Sequence, residues 1–162
     1  MTGATELTDL SQRAASHLLH RRVISPVELT EAYLARIQRW NPKINAYLTI
    51  TADDARAAAR RAEAELVARR DCGPLHGIPL GLKDLLATAG VRTSAGSKIL
   101  ADWIPTEDAT VVRRLHKAGA VLLGKCCMTE FAMGHPDNPH YGPTRNPWNL
   151  AHVPGSSSGD PT

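Results

Sequence analysis

The chain has 162 residues, 43% of them apolar and 22% charged, with a formal net charge of +3. That is enough for one domain with a sizeable core, in proportions ordinary for a soluble protein. The basic residues are scattered, so no stripe for nucleic acid is expected. No apolar run is long enough to cross a bilayer, and the first residues lack the basic and apolar regions of a signal peptide. Three cysteines, two of them adjacent at Cys126 and Cys127, make no disulfide framework. A reducing, cytoplasmic setting is expected.

Residues 7–20 are predicted to be a helix, since Leu10, Ala14, Leu18 and Leu19 recur at helical spacing behind Thr8 or Asp9 as cap. Ser25-Pro26-Val27-Glu28 is a strong helix start. The helix it opens should pass Leu29, Tyr33, Ile37 and Trp40 and stop at Asn41-Pro42. Residues 46–50 form a short strand or buried extended piece. Thr51 then caps a third helix, with Asp53 and Asp54 in its first turn. Its body, residues 55–70, holds only Leu66 and Val67 as large apolar residues and reads as a surface helix.

The pattern changes at Gly73-Pro74-Leu75-His76-Gly77-Ile78-Pro79-Leu80-Gly81-Leu82-Lys83-Asp84. An apolar run, residues 78–82, ends on one lysine flanked by Leu82, Leu85 and Leu86. A dry setting disfavours the ammonium form, and a neutral amine on a rigid strand end can serve as general base. A strand-end lysine reaching into solvent along its apolar stem is the plainer alternative. Residues 88–95 are predicted to be a polar loop, and in Ser94-Ala95-Gly96-Ser97 at its end Ser94, Gly96 and Ser97 either approach a substrate or simply make a turn. Asp108 caps a helix through residue 118, and residues 120–123 form a second strand. Strand, helix, strand in this order argues for an α/β fold with parallel pairing.

Two segments invite other readings. Gly119-Ala120-Val121-Leu122-Leu123-Gly124-Lys125-Cys126 approaches a phosphate-binding loop, but Cys126 replaces the required hydroxyl and the middle residues have a strand's composition. His135, His140 and His152 lie in a Pro- and Asn-rich stretch whose spacing converges on no metal. No cofactor and no metal are expected.

Downstream lies Asn146-Pro147-Trp148-Asn149-Leu150-Ala151-His152-Val153-Pro154-Gly155-Ser156-Ser157-Ser158-Gly159. With the segment ending Lys83-Asp84, it resembles the amidase signature family, whose members carry G-[IV]-P-x-x-x-K-D and later N-P-W-N…P-G-G-S-S-[GS]-G. Asp108-Ala109-Thr110-Val111-Val112, the Gly119–Lys125 run and Met128-Thr129-Glu130-Phe131-Ala132-Met133-Gly134 look most like the branch holding the glutamine-using amidotransferases and free-standing amidases. The resemblance implies an amidase-signature α/β fold, with N-terminal helices (residues 1–72) followed by the first strands of an incomplete mixed sheet (residues 73–162). It also implies amide C–N hydrolysis by a Ser–cis-Ser–Lys triad. Lys83 is the base on that match. The bridging serine is Ser156 if one glycine is missing before it, or Ser157 if Ser156 stands in the second glycine's place. Pro161 and Thr162 depart from the small residues expected next. The nucleophile belongs to a later motif that the chain does not reach, so the chain alone is expected to be inactive and to expose apolar surface. The implied substrate is a small-molecule amide. The alternatives are the amidase component of a tRNA-dependent amidotransferase, generating ammonia from glutamine beside partner subunits, or a truncated, non-catalytic product that binds a partner. Neither direct nucleic-acid binding nor a membrane is expected.

Overall fold

The computed structural model describes residues 6–133 and 138–155. After a 3₁₀ turn at Leu7–Asp9, the elements run α1 (Gln12–His20), α2 (Pro26–Ile44), β1 (Tyr47–Ile50), α3 (Ala52–Val67), β2 (Pro79–Lys83), α4 (Thr110–Lys117) and β3 (Val121–Cys126). The sheet of the described residues has the order β1-β3-β2. β2 pairs parallel to β3, and β1 pairs antiparallel on the other side, so the sheet is mixed. No helix among the described residues is long and apolar enough to cross a membrane.

Several boundaries correct the sequence reading. Ser11, not Thr8 or Asp9, caps α1 by accepting from Ala14 N–H. α2 opens on the expected capping box, with Ser25 and Glu28 each accepting the other's backbone N–H. It does not stop at Pro42 but carries that residue in its last turn and ends at Asn45 in a left-handed conformation. The end is held because Asn41 both accepts from Tyr47 N–H and donates to Tyr47 O. Thr51 is not a side-chain cap for α3; its hydroxyl donates instead to Leu122 O on β3. Asp108 likewise accepts from Ala89 N–H, and α4 begins two residues later.

α3 is not a mere surface helix. Ala55 and Ala59 are fully buried and join Leu34 and Ile37 of α2 and Val121 and Leu123 of β3 in one core cluster. Small side chains let the helix lie close on the sheet, which a count of large apolar residues misses. A second cluster packs Ala15 and Leu19 of α1 against Leu29, Leu66 and Ile78.

α1 is also fastened by charge. His20 places Nδ1 2.6 Å from Ser16 O and Nε2 2.9 Å from Asp71 Oδ2, two acceptors, a geometry that suits the doubly protonated ring. The Ser16 carbonyl, and then Asp71, raise the pKa of His20 above 6.5 against the opposing effect of burial. Asp71 is lowered by Gly73 N–H and by His20. The clasp's His20 contribution is therefore full below pH 6.5 and is lost as pH rises through the raised folded value. His20→Gln is expected to lower the unfolding midpoint in mildly acidic buffer and hardly at all in alkaline buffer. The effect is modest, under about 1 kcal/mol, because both groups are partly exposed.

Candidate active site

Lys83 is the last residue of β2 and pairs with Cys126 on β3. Successive side chains of a strand leave opposite faces, and Gly81 marks which face Lys83 shares. A Cβ on Gly81 would lie 2.7 Å from Cys126 Sγ and 2.8 Å from Tyr47 Oη. Lys83, two residues on, therefore stands on the face of Cys126 and Tyr47. Burial, and then Cys126, push the Tyr47 phenol well above its ordinary pKa. The setting is half dry: Leu82 is buried, Lys83 half-buried, and Leu85 45% exposed.

The turn after Lys83 is tightly fixed. Asp84 is buried; its Oδ2 accepts from Ser94 N–H at 2.9 Å and from the Ser94 hydroxyl at 2.5 Å. Its backbone donates to Cys126 O and accepts from Ala95 N–H. Among the described residues, Asp84 Oδ1 has no hydrogen-bond partner.

Residues 94–97 are buried, and the hydroxyls of Ser94 and Ser97 bond to side chains within the protein. Ser94 serves Asp84, and Ser97 donates to Glu130 at 2.6 Å. Glu130 also faces His140 Nε2, and the Ser97 hydroxyl and then His140 hold its carboxyl below the usual range. Asn138 donates to Gly96 O and Met128 O and accepts from His140 and Tyr141 N–H. Ala95, Phe131 and Ala132 all have φ between 50° and 59°, and Phe131 N–H donates to Ala95 O. Three non-glycine residues in the left-handed region at one junction are strained backbone, which persists only where the surroundings hold it.

The Asn146–Trp148–Asn149 segment is a compact turn: Asn146 accepts from Trp148 N–H, Asn149 from Ala151 N–H, and Trp148 is 93% exposed. Ser156 and Ser157 lie outside the described residues.

Sequence reasoning quoted Asp84 and Glu130 only as motif letters and assigned Asn138 no role. Lys125 figures there only as a letter of the false phosphate loop and of the family-like Gly119–Lys125 run. That segment is β3 itself, with Lys125 completely buried. The available signal was a lysine closing an apolar strand run.

A groove of about 660 Å³ lies elsewhere, between α3, residues 88–91 and residues 116–122; Lys83 does not line it. Glu65, Cys72 and His76 gather at its side with ligand atoms within 4.8 Å of one another. His76 Nδ1 already accepts from Cys72 N–H, and its Nε2 faces Glu65 at 3.1 Å. A metal on Nε2 would put the ring proton on Nδ1, against that N–H donor. The trio fits a hydrogen-bond hub better than a metal centre.

A family model described as amidase matches residues 28–159. The chain belongs to the amidase signature family. It is 51% identical over 155 residues to the A-type subunit of the glutamyl-tRNA(Gln) amidotransferase of Moorella thermoacetica, covering 95% of this chain and 32% of that protein. Its structure resembles native peptide amidase from Stenotrophomonas maltophilia with a TM-score of 0.84, at 38% identity over 93% of this chain and 33% of the other. A bacterial aryl acylamidase of the amidase signature family gives 0.85, at 30% identity over 93% of this chain and 32% of the other. The chain thus spans about a third of the length of these relatives.

Proposed function

We propose that this chain supplies the general base of an amide-cleaving enzyme, with Lys83 as base and Ser156, or Ser157 in the other register, as bridging serine. The observation that carries this reading is the placement of Lys83. It ends a strand paired in parallel to the central strand, half-buried on the Tyr47–Cys126 face, and the next residue is locked by Ser94. A base must be held still to be effective, and this turn holds it.

In this reading the lysine amine takes a proton from the bridging serine. That serine takes one from a nucleophilic serine as it attacks the amide carbonyl. The C–N bond then breaks with return of a proton to the leaving amine, and water cleaves the acyl-enzyme. The reading assigns the nucleophile and the oxyanion donors to none of these residues, so its expectation for the 162-residue chain assayed alone is no turnover. The substrate class is a small-molecule amide, and no cofactor is required.

The name carried by the Moorella relative favours a second reading: action as the amidase component of an amidotransferase, releasing ammonia from glutamine within an assembly of partner subunits. A non-catalytic role, with residues 1–72 docking a partner, is the remaining alternative.

The test is a composite enzyme in which residues 1–159 replace the matching third of the Stenotrophomonas peptide amidase. Ammonia release from a peptide amide, dependent on Lys83, supports the base reading. A folded composite whose turnover ignores Lys83 overturns it.

A further inference from the structure

Lys125 precedes Cys126 on β3, so its side chain leaves the sheet on the face opposite Lys83. Completely buried, it donates to Leu86 O at 2.5 Å, Thr93 Oγ1 at 2.8 Å and Thr88 Oγ1 at 3.2 Å. An ammonium offers three donors and no acceptor, and three oxygens meet it here. None of the three belongs to a carboxylate. Burying such a charge is costly, and a hydrophobic residue would fill the position more cheaply. What the lysine gains is a hold on one segment. All three acceptors lie between Leu86 and Thr93, the stretch that leads from Asp84 to Ser94. The Asp84–Ser94 bonds close the turn directly after Lys83.

We propose that Lys125 is a positioning residue whose ammonium clamps residues 86–93 from beneath the sheet and thereby fixes the Lys83–Asp84 turn. The proposal deepens the reading of Lys83 as base, but the clamp is a structural property testable without turnover.

The clamp requires the protonated form. The hydroxyl protons of Thr88 and Thr93 are given to Leu86 O and Val91 O, so all three oxygens present only lone pairs to Lys125, and a neutral amine, with two N–H groups, would leave one of them facing its own lone pair. Burial pushes Lys125 down to about 8, opposed by Asp84 on the turn and by Cys126 beside it on β3. Arg92, the charged residue within the clamped segment, is directed away, toward Ala101 O and Thr49 Oγ1. Loss of the Lys125 proton should therefore loosen the turn.

The experiment is a pH titration of the full 162-residue chain by NMR, with labelled lysine side chains and backbone amides. The Lys125 side-chain signal, assigned by its absence in Lys125→Arg, should titrate at about 8. The amides of Thr88, Thr93, Ser94 and Ala95 and the side chain of Lys83 should shift with the same midpoint. Hydrogen exchange in Lys125→Met should show Ser94 and Ala95 losing at least about tenfold in protection beyond any loss in α2. In Lys125→Ala, added methylammonium should restore part of it. Turn and Lys83 signals that stay still while Lys125 loses its proton would overturn the clamp. That titration uses the unaltered chain, so the outcome stands even if the variants do not fold. Should the clamp signals behave as stated while the composite ignores Lys83, the base reading fails and the clamp survives. The reverse pattern removes the clamp alone.

Discussion

Lys83→Ala in the composite enzyme is expected to lower the rate of amide cleavage by about 10²–10⁴-fold, the usual worth of a positioned general base. The loss should fall on kcat, with KM little changed, because the amine handles a proton and does not grip the substrate. Lys83→Arg should not rescue the rate, since a guanidinium stays protonated and cannot accept. Folding should survive, because the side chain is half-buried at the end of its strand. Steady-state kinetics with matched circular dichroism spectra check all three points. A variant with unchanged kcat and a raised KM would make Lys83 a binding residue instead.

Gly124→Ala is expected to cost about 3–5 kcal/mol and to unfold much of the population, given that domains hold only roughly 5–15 kcal/mol. A Cβ there would lie 2.1 Å from Thr49 O and 3.1 Å from Ile50 Cα, both backbone atoms of β1. Backbone cannot swing aside as a side-chain tip can. Gly124 pairs with Ile50 on one side and Gly81 on the other, so the displacement would reach both neighbouring strands. Its φ of +155° adds strain for any L side chain. Gly90→Ala is the control: its φ is +73°, but nothing lies within 4 Å of the new carbon, so only the backbone penalty of about 1 kcal/mol remains. Urea unfolding of the three proteins separates the two contributions. Equal midpoints for the two variants would show that β1 and β3 have room to part.

The parallel β2–β3 pair was readable because a strand, a helix and a strand in succession leave few ways to close. The start of α2 was readable from Ser25 and Glu28, which act on each other locally. What escaped depends on distant partners. Thr51 and Asp108 look like caps, yet each hydrogen-bonds to another segment, Leu122 and Ala89. The buried face of α3 is alanine, whose pattern differs little from that of an exposed helix. Pro42 looked like a stop, but a proline in the last turn is tolerated when Asn41 ties the end to β1.

The site divides the same way. Lys83 and Asp84 stand out as a motif on one strand end. The scaffold around them does not, because Ser97 and Glu130 meet across 33 positions and Lys125 and Thr93 across 32. Ile99, Met133 and Trp148, all outside the three strands, are 82%, 77% and 93% exposed. Among the described residues, the outer edge of β2 carries no strand.

The most direct measurement is amide hydrolysis by the purified 162-residue chain beside its Lys83→Ala variant. The proposed reading, with Lys83 as base and no nucleophile assigned among these residues, predicts no ammonia release above buffer from either protein. Robust turnover that disappears in the variant would contradict it, and would place a working nucleophile within this chain.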